Sequence, residues 1–507
     1  MKPHSPNRQI IADLTGRRWP AALGFAALAV GTAVAFWYAW AGLTLSHYDA
    51  KAHLVVARRI LDSLTPGWMQ IGAVWLPLPH LLSAIPVQWD FLYRTGAFGV
   101  GLSILSYSAT AYCLASLVIG TTGSRVAAAA AVITFGLNPN VLYLQSTPMT
   151  EPLLMALTTA SVWLTIAAMR SGSMVDGRRA GLSLAGACLT RYEAWPVAAL
   201  LLTLGWVSLV RQGHTAGSAG RRVARVAAYP AAAVAAFLVL SRATVGEWFV
   251  DSGFFVAENP AIHHPLQAAV SVWWGLHELA SYPLAVLGVA GLTLLVFRGL
   301  LSSKLASWIP IVALAGAAAL PWFAFNSGHP FRIRYMVCLI PLLSLGIGCA
   351  VGLAGRARPI VAAAVLAALV LGPRPLDPAA PMVIEAQWDG AHQAGRAHVA
   401  AYLRQHWDGQ PIMASMGSLA HFMQELSRDG YRIRDFLHEG NGDIWLAAIE
   451  YPDPHAEWVL IEEVAEGGDM LAARARERPH FLAGYDRVAE GGGVVLYRRR
   501  AAVEPAG

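Results

Sequence analysis

The chain has 507 residues, of which 56% are hydrophobic and only 13% charged, with a formal net charge of +6. Average soluble domains carry about 25% charged residues, so the composition excludes an ordinary water-soluble globule and indicates an integral membrane protein. Where the Lys and Arg lie matters more than their total, and no nucleic-acid partner is expected. The four cysteines, Cys113, Cys188, Cys338 and Cys349, all sit inside apolar runs. They are expected to be small core residues, with no disulfide or metal framework.

Basic residues Lys2, Arg8, Arg17 and Arg18 precede an apolar run of about 20 residues, a full span. A cleavable signal would have a shorter apolar core, so this is expected to be an uncleaved first helix. Further stretches able to cross a bilayer are 93–119, 126–144, 151–169, 180–190 joined to 195–210, 226–242, 281–300, 305–325, 335–354 and 359–372. With a turn at 191-RYEAWP-196 the count is about eleven spans, the 180–190 piece being short enough to be tilted or re-entrant. Alternate connections carry Arg125, then Arg170, Arg178 and Arg179, then Arg211, Arg221, Arg222 and Arg225, then Arg298 with Lys304, and Arg356 with Arg358. The positive-inside rule makes that side cytoplasmic. It puts 45–92, 145–150, 191–195, 243–280, 326–334 and everything after about 373 outside, the periplasmic face of a bacterial inner membrane.

After the prolines at 373, 375, 378 and 381 the sequence becomes that of a soluble domain. Strand 411–415, helix 417–428, strand 457–462, helix 467–478 and strand 493–498 predict a small α/β fold. Gly440 and Gly442 fall in a loop, and Gly491 to Gly493 mark a hairpin turn. The expected division is therefore 1–372, a transmembrane part with external loop 45–92, and 373–507, an external α/β domain for acceptor recognition or covering, or a stabilising appendage.

Between the first two spans lies 46-SHYDAKAHLVVARRILDSLTPGWMQIGAVWLPLPH-80, longer and more aromatic than a connection requires. Asp49 stands there among His47, Lys51 and His53. From 49 to 62 the spacing predicts an amphipathic helix lying in the membrane interface, with Leu54, Val55, Ile60 and Leu61 apolar and Lys51, Arg58 and Arg59 polar. His53 is one turn after Asp49 on the same face. A carboxylate here can take the proton of an acceptor hydroxyl attacking a lipid-linked donor; the competing role is a helix cap.

In 145-QSTPMTEPLLM-155, Glu151 starts a helix, where the dipole favours a negative charge. An ionisable group at membrane depth is also a functional candidate. Facing one cavity, Asp49 and Glu151 could share a divalent cation through oxygen ligands, Mg or Mn. In 190-TRYEAWP-196, Arg191 and Glu193 stand beside Tyr192 and Trp195, aromatics that also suit an interfacial belt. In 326-NSGHPFRIRYM-336, His329, Arg332 and Arg334 bring positive charge to the external side. Arg suits bidentate phosphate contacts, the competing role being snorkelling to headgroups. The aromatic and acidic stretch 244–265 is expected to cover substrate; its adjacent His263 and His264 are poorly placed to bind one metal.

This layout resembles the GT-C class of polytopic glycosyltransferases, the group of aminoarabinose transferases, protein O-mannosyltransferases and rhizobial core transferases. The resemblance rests on 49-DAKAHLVVARRI-60, on the acid after a proline-containing turn in NPNVLYLQSTPMTEPL, on the late RIRY, and above all on their order along 20–372. It implies that Asp49 is the acceptor-activating or metal-associated acid and Glu151 the second-loop acid. It also implies that Arg332, Arg334 and Tyr335 meet the donor phosphate. Many relatives have Asp-Glu at the first site, where this chain has Asp49-Ala50. The implied activity is inverting transfer from a polyprenyl-phosphate sugar to a glycan, lipid or protein acceptor, with His53, Arg59, Arg191, Glu193 and His329 as further substrate-binding candidates. A transporter or flippase of a lipid-linked saccharide is the alternative of another class, an oligosaccharide ligase or polymerase that within the enzyme class, and a bare membrane anchor leaves the first loop without a purpose.

Overall fold

The structure is a computed structural model and describes residues 6–72, 74–248, 259–465 and 468–501. Each expected span is built mainly of helix. Among the described residues, eight helices are long and apolar enough to cross a membrane: Arg18–Trp40, Ala97–Thr122, Glu151–Ser171, Ala194–Arg211, Ala216–Val245, Tyr282–Leu301, Ser303–Ser327 and Ile333–Leu353. The other three stretches form the shorter helices Arg125–Gly136, Met174–Cys188 and Arg358–Leu371. The 126–144 stretch divides because the Asn138 side chain accepts from the amides of Asn140 and Val141 and starts a second helix, Pro139–Leu144. Pro139 itself has no amide hydrogen with which to continue the first helix. The 249–258 part of the 244–265 stretch lies outside the described residues.

The chain forms two compact units: 1–41 with 100–239 and 256–384, and 42–99 with 240–255 and 385–507. In the first unit, the 282–301 helix packs closely on Ile340–Leu353 through small residues. A Cβ on Gly291 would lie 1.8 Å from the Gly346 carbonyl oxygen and 2.7 Å from the Ala350 amide nitrogen, and one on Gly346 would lie 2.1 Å from the Gly288 oxygen. Small faces let helix backbones approach and gain dispersion where lipid offers no hydrophobic driving force.

The second unit holds a five-stranded sheet in the order β2-β1-β3-β5-β4. Its strands are β1 (Ile412–Ala414), β2 (Phe436–Leu437), β3 (Trp458–Glu462), β4 (Tyr485–Gly491) and β5 (Val494–Arg499). β1 runs parallel to β2 and β3, whereas β5 is antiparallel to β3 and β4. β1 and β3 are wholly buried, which is why they read as continuous apolar runs. Gly492 and Gly493, with φ of 59° and 79°, turn the β4–β5 hairpin as expected. The edge strand β4 is missed by sequence patterning because Asp486, Arg487 and Glu490 face solvent along it. The expected helices are Met416–Leu426 and Met470–Glu477.

The same unit includes the long first loop. Its helix, Tyr48–Arg59, puts Ala52, Leu54, Val55 and Ala57 into one core with Leu419, Phe422 and Met423 of the 416–426 helix. The interfacial expectation for this helix is therefore corrected: its polar side is not in water, since Lys51 and Arg58 are only 5% and 6% exposed. Each charge has a partner instead. Lys51 Nζ meets Glu425 Oε1 at 2.5 Å, and Arg58 meets Asp62 at 3.1 Å and Asp90 at 2.7 Å while lying over the Tyr93 ring. Arg396, fully buried, grips Asp389 through two nitrogens at 2.7 and 2.5 Å and reaches Glu425 at 3.1 Å. Burial raises the Glu425 carboxyl, but Lys51 and Arg396 outweigh it and hold the group below the usual range.

Two stability measurements test this packing. Gly291→Ala is expected to lower the unfolding temperature of the detergent-solubilised protein, whereas Gly101→Ala, whose Cβ would meet nothing within 4 Å, leaves it unchanged. Arg396→Ala leaves the half-buried Asp389 without its partner and Glu425 with Lys51 alone, and is expected to lower the stability measured by denaturant unfolding by about 3 kcal/mol.

Candidate active site

In the second unit, His47 rather than Asp49 caps the 48–59 helix. Its Nδ1 accepts from the Asp49 amide at 3.1 Å, so its ring proton sits on Nε2, which donates to Glu385 Oε1 at 3.4 Å. Asp49 is thereby released from the capping role and stands in the first turn, buried at 6% exposure, where the helix dipole favours its negative charge. One turn on, His53 is buried; its Nδ1 lies 3.1 Å from His80 Nε2 and its ring 4.2 Å from that of Trp75. Burial, with Arg59 adding to it, pushes the His80 pKa down to about 3.

Arg59 turns inward. Its Nε and Nη2 donate to the carbonyls of Gln70 and Ile71, and Nη1 contacts the Met416 sulfur. Burial lowers its pKa to about 10 against the opposing pull of Glu439. These contacts fasten the 68–71 turn to the 48–59 helix, a structural use of a residue expected at the substrate.

In the first unit, Glu151 is the first residue of Glu151–Ser171 and is fully buried. Its Oε1 accepts from Arg191 Nη1 at 2.9 Å, while its Oε2 is buried without a hydrogen-bond partner. Arg191 also donates to Thr150 Oγ1 at 3.1 Å and twice to Glu193 Oε1, at 2.7 and 3.0 Å. One guanidinium thus serves two carboxylates. Burial works against its charge, but Glu151 and Glu193 outweigh burial and hold its pKa above the ordinary arginine value. The turn carrying Arg191 is closed by Trp195 Nε1 donating to the Cys188 carbonyl at 2.9 Å. Trp195 and Tyr192 pack edge-on, with Phe237 beside both.

The 326–336 stretch leads through a short 3-10 segment, Ile333–Leu339, into the 340–353 helix. His329 Nδ1 donates to the Pro330 carbonyl at 2.9 Å, which leaves Nε2 to accept from the Tyr335 hydroxyl at 3.4 Å. Asn259 Nδ2 binds the His329 carbonyl at 2.6 Å. Arg332 and Arg334 are 9% and 8% exposed, the latter 5.5 Å from the Tyr335 ring centre. Both are too deeply enclosed for snorkelling to bulk headgroups.

In the sequence Glu151 stands in one motif and Arg191 with Glu193 in another, and the structure brings the three into one group. His329 and Tyr335, from one motif, meet in the same way. The capping role of His47, and His80 and Thr150 altogether, are not legible in the sequence; the only signal for His80 is its place at the end of the aromatic and proline-rich loop. Among the described residues, no group of three or more His, Cys, Asp or Glu is arranged to hold a metal ion. Glu151 already gives one oxygen to Arg191.

No protein-family model matches this sequence, and no curated protein matches it either. Among solved structures, the chain is similar to the crystal structure of ArnT from Cupriavidus metallidurans bound to undecaprenyl phosphate. The TM-score is 0.55, with 14% identity, over 95% of this chain and 99% of that one. The fold is of the GT-C type expected from the order of the motifs.

Replacing Arg191 tests the buried triad. Arg191→Met leaves Glu151 and Glu193 without their shared counter-charge and is expected to destabilise the first unit by about 3–5 kcal/mol. Adding Glu193→Gln should recover part of that loss in a thermal melt in detergent.

Proposed function

We propose that the chain is a membrane glycosyltransferase that moves a sugar from a polyprenyl-phosphate donor to an acceptor at the external face of the cytoplasmic membrane. The observation that carries this reading is the position of its ionisable groups. Asp49 and Glu151 each occupy the first turn of a helix, and Arg332 and Arg334 are enclosed immediately before another. They occur in a fold shared with a protein crystallised with undecaprenyl phosphate.

In the reaction proposed, the Asp49 carboxylate takes the proton of an acceptor hydroxyl. The freed oxygen bonds to the anomeric carbon from the face opposite the phosphate, and the bond from that carbon to the phosphate oxygen breaks. The electron pair leaves on polyprenyl phosphate, which takes up the added negative charge, and the anomeric configuration inverts; in the first unit, the enclosed Arg332 and Arg334 suit contacts with a phosphate of this kind. In the same unit, Glu151 is held by Arg191. Positioning and charge stabilisation of this kind supply most of the barrier reduction in such transfers. Glycan, lipid and protein hydroxyls all satisfy this chemistry. In the first unit, His329 and Tyr335 would line the phosphate side.

A transporter would place its ionisable groups near the bilayer midplane, at breaks within spans. Asp49, Glu151, Arg191, Arg332 and Arg334 instead lie at helix starts or in turns, which favours chemistry at a rim.

Asp49→Asn, assayed for glycan transfer in membranes with the native lipid extract as donor, keeps the side chain's shape and removes its charge. At matched expression the expected loss is about 10²–10⁴-fold, with the protein folded and lipid still bound. Wild-type transfer would overturn the mechanism and return the transporter to first place.

A further inference from the structure

We infer that Asn259 is a positioning residue for the phosphate side of the site: its side-chain amide fixes the turn that carries His329 and leads into Arg332, Arg334 and Tyr335. The inference deepens the glycosyl-transfer reading and, for its functional consequence, rests on it.

In the first unit, the Ala319–Ser327 helix ends at Gly328, whose φ of 107° turns the chain out of the helical path. The last carbonyls of a helix lack ordinary intrahelical partners, and here they are met from residues 259–263. Asn259 Nδ2 donates to the Phe325 oxygen at 3.0 Å and to the His329 oxygen at 2.6 Å. The His263 backbone amide donates to the Asn326 oxygen at 2.8 Å. To present that amide, His263 takes a φ of 56°, which residues other than glycine rarely adopt. Carbonyl oxygens only accept, so the Asn259 atom facing two of them is its nitrogen, with one hydrogen for each. Its Oδ1 accepts from the Ala261 amide at 2.9 Å, which fixes the plane of the side chain and so the direction of both donors.

The contact with His329 goes beyond capping. A cap needs a donor only to the last turn, but Asn259 also reaches past Gly328. The peptide unit it meets there joins His329 to Pro330, which has no amide hydrogen. The His329 carbonyl is therefore that unit's only polar handle, and Asn259 holds it. From the same unit the His329 ring reaches the Pro330 carbonyl through Nδ1 and the Tyr335 hydroxyl through Nε2. Phe325 packs on Phe331 and Tyr335, with ring centres 5.2 and 6.5 Å away, which ties the anchored helix end to the stretch bearing the arginines. Both side-chain hydrogens of Asn259 are used in the turn, so it acts through these residues and not on the phosphate itself.

Asn259→Asp is the discriminating change. It keeps the oxygen that accepts from Ala261 and sets a second, anionic oxygen against two carbonyls. The full-length protein in detergent is followed by hydrogen–deuterium exchange over 325–339, and its binding of undecaprenyl phosphate is titrated. In Asn259→Asp, exchange over 325–339 should quicken about tenfold while that of 340–353 is unchanged, and undecaprenyl phosphate should bind about tenfold more weakly. In the transfer assay the donor KM should rise by a similar factor with little change in kcat. Asn259→Gln, which keeps both donors on a longer arm, should recover part of each. If Asn259→Asp does not fold, Asn259→Ser, with one hydrogen to give, carries the same expectations at smaller size. Exchange matching wild type overturns the inference. Quickened exchange with undecaprenyl phosphate bound as tightly as by wild type also overturns it, leaving Asn259 as a cap. A wild-type protein that binds no undecaprenyl phosphate removes the function proposed above and the positioning role with it.

Discussion

A charge taken out of water must be met by another charge or by a full set of hydrogen bonds, and the second unit is arranged around that requirement. Asp389, Arg396, Glu425 and Lys51 form a chain of alternating sign that ends on the 48–59 helix. Arg58, in that helix's last turn, is met by Asp62 and Asp90. Apolar contact alone would allow the helix to rotate about its axis or slide along its neighbour. Paired charges of fixed position do not, because a displaced Lys51 or Arg58, each almost fully buried, would lose its partners. The orientation of Asp49 and His53 depends on this pinning, since both stand on the pinned helix.

The same requirement is met differently among the histidines. His47 and His80 each meet a backbone group through Nδ1, which accepts from the Asp49 amide in the first and donates to the Leu76 carbonyl in the second. Burial, with a guanidinium adding to it, keeps His80 uncharged where a carboxylate neighbour would have done the reverse. Histidine therefore serves as a directional connector in the region around Asp49. In the first unit the connector is a cation, Arg191, between Glu151 and Glu193. The first-turn position of Glu151 adds the favourable end of a helix dipole.

Most of the helical architecture is legible in the sequence because a bilayer imposes a simple rule: a segment facing lipid must be apolar and about 20 residues long. Departures occur where a side chain interrupts the helix, as Asn138 does by capping Pro139–Leu144 in the middle of an apolar stretch. The buried strands β1 and β3 are likewise legible, whereas β4 is masked by charges on its open face. At the candidate site, the residue types are visible in advance but their partners are not. Arg191 and Glu151 are 40 positions apart, and nothing in their spacing predicts the ion pair. The 48–59 helix is a sharper case. Its alternation of charge and apolar residue is that of a surface helix, but Glu425, 374 positions away from Lys51, makes burial possible.

By itself, then, the sequence determined that this is a multi-pass helical protein with a small α/β domain, that Asp49 and Glu151 lie at the starts of helices, and that its motifs follow a GT-C order. Those properties depend on local composition and on the solvent each segment meets, and are written continuously along the chain. Only the tertiary structure decided that residues 42–99 fold with 385–507, that His47 and not Asp49 caps the helix, and that His53 meets His80. These outcomes turn on which polar groups meet once water is excluded. A hydrogen bond or ion pair is set by distances of about 3 Å between groups far apart in sequence, and such a match exists only after the chain has folded.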